Sequence, residues 1–138
     1  MISLIIGRKG SGKTKKLIEM TNSAVETSDG HVICIEQGIQ LRTNINYRAR
    51  LIDSEEYKIK GYDRFYGFLA GVAAGDNDIT DMFVDATLRI GGRDYDALHK
   101  FLRDVSELEA LKSISIVFTV SADEDELPKE IFDFCKKL

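Results

Sequence analysis

The sequence predicts a single α/β domain, residues 1–138, in which helices cover both faces of a mostly parallel, five-stranded sheet. Three observations indicate this three-layer class. Short apolar runs rich in β-branched residues recur along the chain, as in strands that are buried on both faces. Segments of helical periodicity alternate with these runs. A chain of 138 residues suits one hydrophobic core but leaves no room for a second folded module.

The N-terminal segment predicts strand, helix and strand. Residues 2–6 form a short, mostly apolar and β-branched run, and 31–36 form a second predicted buried strand whose last residue, Glu36, is acidic. Between them, a helical pattern begins at Lys13 and ends at the turn signal Asp29-Gly30. Its apolar stripe consists of Leu17, Ile18, Thr21, Ala24 and Val25.

The middle of the chain predicts a loop, a short strand, a helix and another strand. Residues 37–47 are polar and aperiodic, and 48–53 form a candidate edge strand. Residues 62–74 carry apolar side chains at helical spacing. Residues 79–87 form a strand centred on Met82-Phe83-Val84-Asp85, and Gly91-Gly92 separates it from the next helix.

The C-terminal segment predicts helix, strand and helix. Residues 94–111 are amphipathic, and 114–120 are a continuous apolar run. Pro128 suits the first turn of a terminal helix whose inward side chains would be Ile131, Phe132, Cys135 and Leu138. The acidic run 123–126 would place favourable charge at the N-terminus of that helix.

The most informative motif lies between the first strand and the first helix. It matches the Walker A pattern G-x-x-x-x-G-K-[ST] and comprises Gly7, Arg8, Lys9, Gly10, Ser11, Gly12, Lys13 and Thr14. Glycines allow successive backbone amides to face one concavity, and the helix N-terminus reinforces their attraction for phosphate. Lys13 is expected to reach the β and γ phosphates, and the Thr14 hydroxyl to bind Mg²⁺. The motif therefore predicts binding of a nucleoside triphosphate.

Two carboxylates are candidates for the chemistry beside this loop. Asp85 follows an apolar strand, which is the usual position of a magnesium-binding aspartate, while Asp81 and Asp53 are lesser candidates. The residue after Asp85 is Ala86, whereas many ATPases carry a water-polarising glutamate there. Glu36, at the end of the second strand, is an alternative base, but capping or solvation would account for it equally well.

The stretch from Gly7 through residues 31–36, together with Asp85, resembles the RecA-like P-loop ATPases. It is especially similar to the core of the twitching-motility and type II/IV secretion ATPases, and the whole chain is most similar to small stand-alone bacterial P-loop ATP-binding proteins. A looser resemblance links it to thymidine kinases, whose paired zinc-binding cysteines it lacks. The resemblance implies a P-loop NTPase fold, ATP and Mg²⁺ as ligands, and a role for Glu36 near the γ phosphate.

Several side chains beyond the loop are weaker candidates. Arg89 and Arg93 flank Gly91-Gly92, where a flexible loop could bring a guanidinium to the γ phosphate, although solvated loop charges are the commoner reading. In many P-loop proteins the position of Ser121-Ala122 contacts the base. The chain has no guanine-specific N-K-x-D motif, which favours ATP.

Charge and composition restrict the partners. The formal net charge of −4 removes the electrostatic footprint expected of a protein that is held on nucleic acid by its overall charge. No apolar run reaches membrane-spanning length and no cleavable signal fits, so a cytoplasmic location is expected. Cys34 and Cys135 are expected to be reduced, and His31 and His99 to be packing or surface residues. A homo-oligomer or a protein partner stays open.

The leading prediction is an ATP·Mg²⁺-binding protein that hydrolyses ATP slowly. One alternative is a small-molecule or nucleoside kinase, in which residues 37–47 with Arg42 could contribute a short lid. The other is a nucleotide-dependent switch or partner-binding module without turnover, which the missing glutamate after Asp85 favours.

Overall fold

The computed structural model describes residues 1–138 and contains one six-stranded sheet in the order β3-β2-β4-β5-β1-β6. Every neighbouring pair of strands is parallel. The strands are β1 (Ile2–Gly7), β2 (His31–Glu36), β3 (Arg50–Asp53), β4 (Ile79–Val84), β5 (Ser115–Ser121) and β6 (Cys135–Lys137). The helices are α1 (Lys13–Thr27), α2 (Tyr62–Gly75), α3 (Thr87–Gly91) and α4 (Tyr95–Glu107). The predicted α/β class with a mostly parallel sheet is therefore confirmed.

Helices cover both faces of this sheet and divide the core into two clusters. On one face, Leu17 and Val25 of α1 pack with strand residues that include Ile5 and Phe83. On the other face, α2 and α4 contribute the larger cluster, in which Phe65 and Phe101 stack with ring centroids 4.9 Å apart. The alternation of side chains along each strand assigns neighbouring residues to opposite clusters, as the pleat requires. None of the helices has both the length and the apolar character needed to cross a bilayer.

The predicted count of five strands and the predicted terminal helix are both wrong. After a 3₁₀ turn over Lys129–Asp133, the chain forms β6, which pairs with β1. A helix after Pro128 would leave β1 with an unpaired apolar edge. Pairing with β1 satisfies this edge and buries Cys135.

Other boundaries differ from the predictions at the points where the backbone turns. Strand β4 ends at Val84 instead of residue 87, because Ala86 adopts a left-handed conformation with φ 58° and starts the short α3. Helix α4 ends at Glu107, and a separate 3₁₀ turn follows over Glu109–Leu111. The acidic run caps its own 3₁₀ turn over Glu124–Glu126 and not a terminal helix. The predicted edge strand is confirmed as β3.

Candidate functional site

The candidate site is a cavity of about 660 Å³ at the carboxyl ends of β1, β4 and β5. These three strands are neighbours in the sheet, so the segments that follow them converge although they are distant in sequence. Its size lies within the range of about 300–1,000 Å³ that is usual for small-molecule sites. It is lined by Lys9, Gly10, Gly12, Lys13, Thr14, Lys15, Gln40, Leu41, Asp85, Ala86, Leu88, Arg89, Arg93, Thr119 and Ser121.

The glycine-rich loop between β1 and α1 forms one wall of this cavity. Gly10 and Gly12 have φ angles of 83° and 90°, a left-handed conformation that side chains disfavour. Gly12 caps α1 without a side-chain oxygen, so no capping side chain bonds the amides of the first helical turn. The Lys13 ammonium donates a hydrogen bond of 2.9 Å to the Arg8 carbonyl, which keeps it against the loop. The loop thus presents helix amides and a lysine to the same space.

Asp85, Thr14 and Thr119 form a hydrogen-bonded cluster beside the loop. The Thr14 hydroxyl lies 3.2 Å from Asp85 Oδ1 and 3.3 Å from Oδ2. The Thr119 hydroxyl lies 2.9 Å from Asp85 Oδ1. Thr14 and Asp85, the two predicted magnesium ligands, are therefore in direct contact. Their oxygen donors are of the type that Mg²⁺ prefers.

The electrostatic character of the cavity is opposite to that of the whole protein. Five cationic side chains line it, and Asp85 is the one carboxylate among the lining residues. The chain as a whole carries a net charge of −4. Burial lowers the pKa of Lys13, and the nearby Asp85 carboxylate acts in the opposite direction. The cavity is therefore a local positive region suited to a multiply charged anion. The five cations are Lys9, Lys13, Lys15, Arg89 and Arg93.

Arg89 and Arg93 reach the cavity from a packed corner and not from an open hinge. A Cβ atom on Gly91 would lie 2.0 Å from the Tyr62 ring, so the ring fills the space beside this glycine. The Tyr62 hydroxyl donates a hydrogen bond of 2.7 Å to the Gly92 carbonyl. Arg93 donates one of 3.3 Å to the Ser121 carbonyl at the end of β5. The expected flexible Gly-Gly loop is therefore held on both sides.

Glu36 lies at the carboxyl end of β2, as the sequence predicts, but it does not line the cavity. Its side chain is buried, and Oε2 accepts a hydrogen bond of 2.8 Å from the Leu41 amide. Burial raises the pKa of Glu36, and the bond from Leu41 opposes that rise. In this arrangement, Glu36 anchors the loop that carries Gln40 and Leu41 into the cavity wall.

The loop over residues 37–49 is fastened to α1 at its far end as well. The Asn22 side chain donates to the Asn44 carbonyl at 2.9 Å and accepts from the Asn46 amide at 2.8 Å. Leu41 and Ile45 are buried against the α1 face of the sheet. Arg42, the residue expected in a lid, is exposed and does not line the cavity.

The acidic run meets the glycine-rich loop at the edge of the cavity. Arg8 pairs with Asp123 through two hydrogen bonds of 2.8 and 3.1 Å. This pair holds the pKa of the Asp123 carboxyl below its usual range. Asp123 and Glu126 also form a capping box, and Glu124 pairs with Lys137. The carboxylates of this run are absent from the cavity lining.

Sequence reasoning missed Thr119 and Gln40. Thr119 lies inside an apolar run, and the only signal for it is a hydroxyl near the carboxyl end of a strand that neighbours β4. Gln40 belongs to no sequence motif. It lines the cavity because the hydrogen bond between Glu36 and the Leu41 amide holds its loop there. Neither protein-family models nor curated protein sequences give a match to this chain. The function is therefore inferred from the cavity and its side chains.

Proposed function

We propose that the protein binds a nucleoside triphosphate, with ATP as the best candidate, together with Mg²⁺ in this cavity. We further propose that the chain is a P-loop NTPase of the RecA-like type and that it hydrolyses ATP slowly. One observation carries the binding proposal: a loop with left-handed glycines, an uncapped helix N-terminus and five cations surround a single cavity in an otherwise acidic protein. Such a combination favours a polyphosphate over a ligand with one negative charge.

The residues divide the task of binding by their chemistry. Amides of the loop and of the first turn of α1 are directional donors for phosphate oxygens. Lys13 adds a mobile cation, because its one bond in the protein is to the Arg8 carbonyl and a phosphate can replace that carbonyl. Arg89 and Arg93 line the same cavity from a separate segment of the chain, after β4. Cations from two segments oppose the repulsion between neighbouring phosphates.

Thr14 and Asp85 are suited to hold the metal. Their oxygens already lie 3.2 Å apart, and both are of the kind that Mg²⁺ selects. When bound, Mg²⁺ would neutralise charge on the phosphates and favour their transfer. Of the two proposed ligands, the Thr14 hydroxyl would supply a neutral oxygen and the Asp85 carboxylate a negatively charged one.

The absence of a second carboxylate from the cavity lining supports a slow rate. Asp85 already accepts hydrogen bonds from two hydroxyls, and the Glu36 carboxylate is bonded to the Leu41 amide. Glu36 lies outside the cavity lining and Asp85 is the proposed metal ligand, so neither carboxylate is placed as a separate base for a water molecule. The same observation favours the second candidate, a nucleotide-dependent switch with negligible turnover. The kinase alternative has less support, since residues 37–49 are fastened to α1 and do not form a free lid.

Isothermal titration calorimetry with ATP, with and without Mg²⁺, tests the binding proposal. We expect magnesium-dependent binding by the native protein and its loss in Lys13→Glu, where an anion replaces the central cation. Lys16→Glu is the matched control, because Lys16 lies on the same helix but does not line the cavity. Native protein that binds neither ATP nor GTP, or equal binding by Lys13→Glu, would refute the proposal.

Phosphate release separates the two candidates once binding is established. Slow release of phosphate that disappears in Lys13→Glu supports the hydrolase. Tight binding with no release supports the switch. Formation of ADP only when a nucleoside or other acceptor is present would instead indicate a kinase. Glu36→Gln with unchanged hydrolysis would remove Glu36 from the mechanism.

A further inference from the structure

We propose that Thr119 is a positioning residue that orients the Asp85 carboxylate and leaves Oδ2 as the oxygen available to the metal. This inference rests on the proposed function, because it concerns the same metal and nucleotide. It adds a residue that the phosphate-binding motif does not contain, and it assigns different roles to the two oxygens of one carboxylate.

The direction of each hydrogen bond at Thr119 follows from the chemistry of its partners. Its hydroxyl oxygen lies 2.7 Å from the Ala86 amide and 2.9 Å from Asp85 Oδ1. A backbone amide can only donate, so the hydroxyl accepts from Ala86 and directs its own proton to Asp85. Thr119 is 1 % exposed, so its hydroxyl is almost completely shielded from solvent by the protein.

The two carboxylate oxygens of Asp85 consequently differ. Oδ1 accepts the short bond from Thr119 and also lies 3.2 Å from the Thr14 hydroxyl. Oδ2 has one contact, at 3.3 Å to the same Thr14 hydroxyl. The backbone of Asp85 is held as well, since its amide donates to the Ile35 carbonyl at 2.9 Å. Because the backbone and Oδ1 are both held, the orientation of the carboxylate is held as well. Oδ2 makes fewer hydrogen bonds than Oδ1 and is the oxygen with more capacity to bind a metal ion.

Strand register explains why a threonine on β5 can do this. Val84 pairs with Phe118 in the parallel ladder, so the next positions along the two chains, Asp85 and Thr119, lie side by side. Two residues earlier, Phe83 and Val117 point to the α1 face of the core. By the alternation of the strand, Thr119 projects to that same face, where Thr14 lies in the first turn of α1.

The experiment compares Thr119→Val with Thr119→Ser. Valine keeps the shape but removes the hydroxyl, whereas serine keeps the hydroxyl. ATP binding is measured by calorimetry over a series of Mg²⁺ concentrations and again in EDTA. Partners that orient metal ligands typically change metal affinity by about 10- to 100-fold when removed. We expect Thr119→Val to need about tenfold more Mg²⁺, with ATP affinity in EDTA changed by less than about twofold, and Thr119→Ser to resemble the native protein.

Each outcome bears on the inference. An Mg²⁺ requirement of Thr119→Val equal to that of native protein overturns it, and so does an equal loss of affinity with and without Mg²⁺, which would indicate a structural role. If the native protein itself binds no nucleotide, the proposed function has failed instead. If Thr119→Val does not fold, Thr119→Cys retains a weaker donor and replaces it. An Mg²⁺ requirement above that of native protein in Thr119→Cys supports the inference, and a requirement equal to that of native protein overturns it.

Discussion

Replacing Gly91 by alanine tests the packed corner that carries the two cavity arginines. A Cβ atom at this position would lie 2.0, 2.3 and 2.4 Å from three atoms of the Tyr62 ring. Carbon atoms in ordinary contact are about 3.5–4.0 Å apart, so the ring must move by more than an ångström. It is held by its bond to the Gly92 carbonyl and by the Phe101 ring, whose centroid is 5.1 Å away.

The cost has two parts. Forcing extra atoms into a packed core typically costs about 1–3 kcal/mol. Losing the Tyr62 hydrogen bond adds about 1 kcal/mol. Together they predict a loss of about 2–4 kcal/mol, a large part of the usual stability of about 5–15 kcal/mol.

Urea denaturation followed by circular dichroism measures this loss. Gly67→Ala is the matched control, because Gly67 lies inside α2 and nothing occupies the space of its Cβ. There, alanine should raise the free energy of unfolding by about 0.5–1 kcal/mol. Opposite signs for the two substitutions are the expected result. If the stability of Gly91→Ala lay within about 0.5 kcal/mol of native protein, the Tyr62 ring could not be packed against Gly91 as described. Effects of that size are typical of surface substitutions that disturb no packing.

Three further predictions follow. Lys13→Met should weaken ATP binding by about 10- to 100-fold, as expected for a charge-assisted bond of about 1.5–3 kcal/mol, while Lys16→Met changes it little in calorimetry. His31→Gln should remove a pH-dependent part of the stability, because the bond to Asp76 raises the pKa of His31 in the folded protein. In urea denaturation, native protein should be more stable than the variant below the ordinary histidine pKa of 6.5. It should lose that advantage as the pH rises through the pKa of His31 in the folded state. Equal stabilities at every pH would count against this ion pair. Burial raises the pKa of both thiols to about 12, so Cys34 and Cys135 should be inert to a thiol reagent at pH 8 in native protein and react after denaturation.

The sequence predicts this fold well where one local signal dominates. Residues 32–35 form a continuous apolar run with β-branched side chains inside β2, and no helical pattern competes there. The glycine-rich motif likewise implies its own surroundings, because residues 8–12 lead the chain from the end of β1 into a helix that begins directly after Gly12. In both places, propensity and pattern agree with the final packing.

The sequence fails where an element depends on a distant partner. Cys135–Lys137 reads as part of a helix, and only the free edge of β1 makes it a strand. Glu36 occupies the predicted place at a strand end, but its Oε2 atom accepts from Leu41 because the next loop folds back over it. Thr119 lies beside Asp85 only because of the pairing register of β4 and β5. The order and register of the strands decide which side chains meet across a sheet. A short stretch of sequence does not contain this information.

Ala86 links local energetics to the geometry of the cavity. Strand β4 ends at Val84, and the left-handed conformation of Ala86 turns the chain immediately after Asp85 and precedes α3, which carries Arg89. An alanine in this conformation costs about 1–2 kcal/mol relative to the right-handed region. Thr119 offsets part of that cost by accepting from the Ala86 amide, and the same hydroxyl donates to Asp85. One buried hydroxyl therefore couples the strained turn to the orientation of the carboxylate. If Ala86 left the left-handed conformation, its amide would move away from Thr119, and the Thr119 bond that orients Asp85 would change as well. Local strain beside a reactive group is retained where the surroundings hold it in place, and here the Thr119 hydroxyl acts together with the backbone bonds from Asp85 to Ile35 and from Arg89 to Ala86.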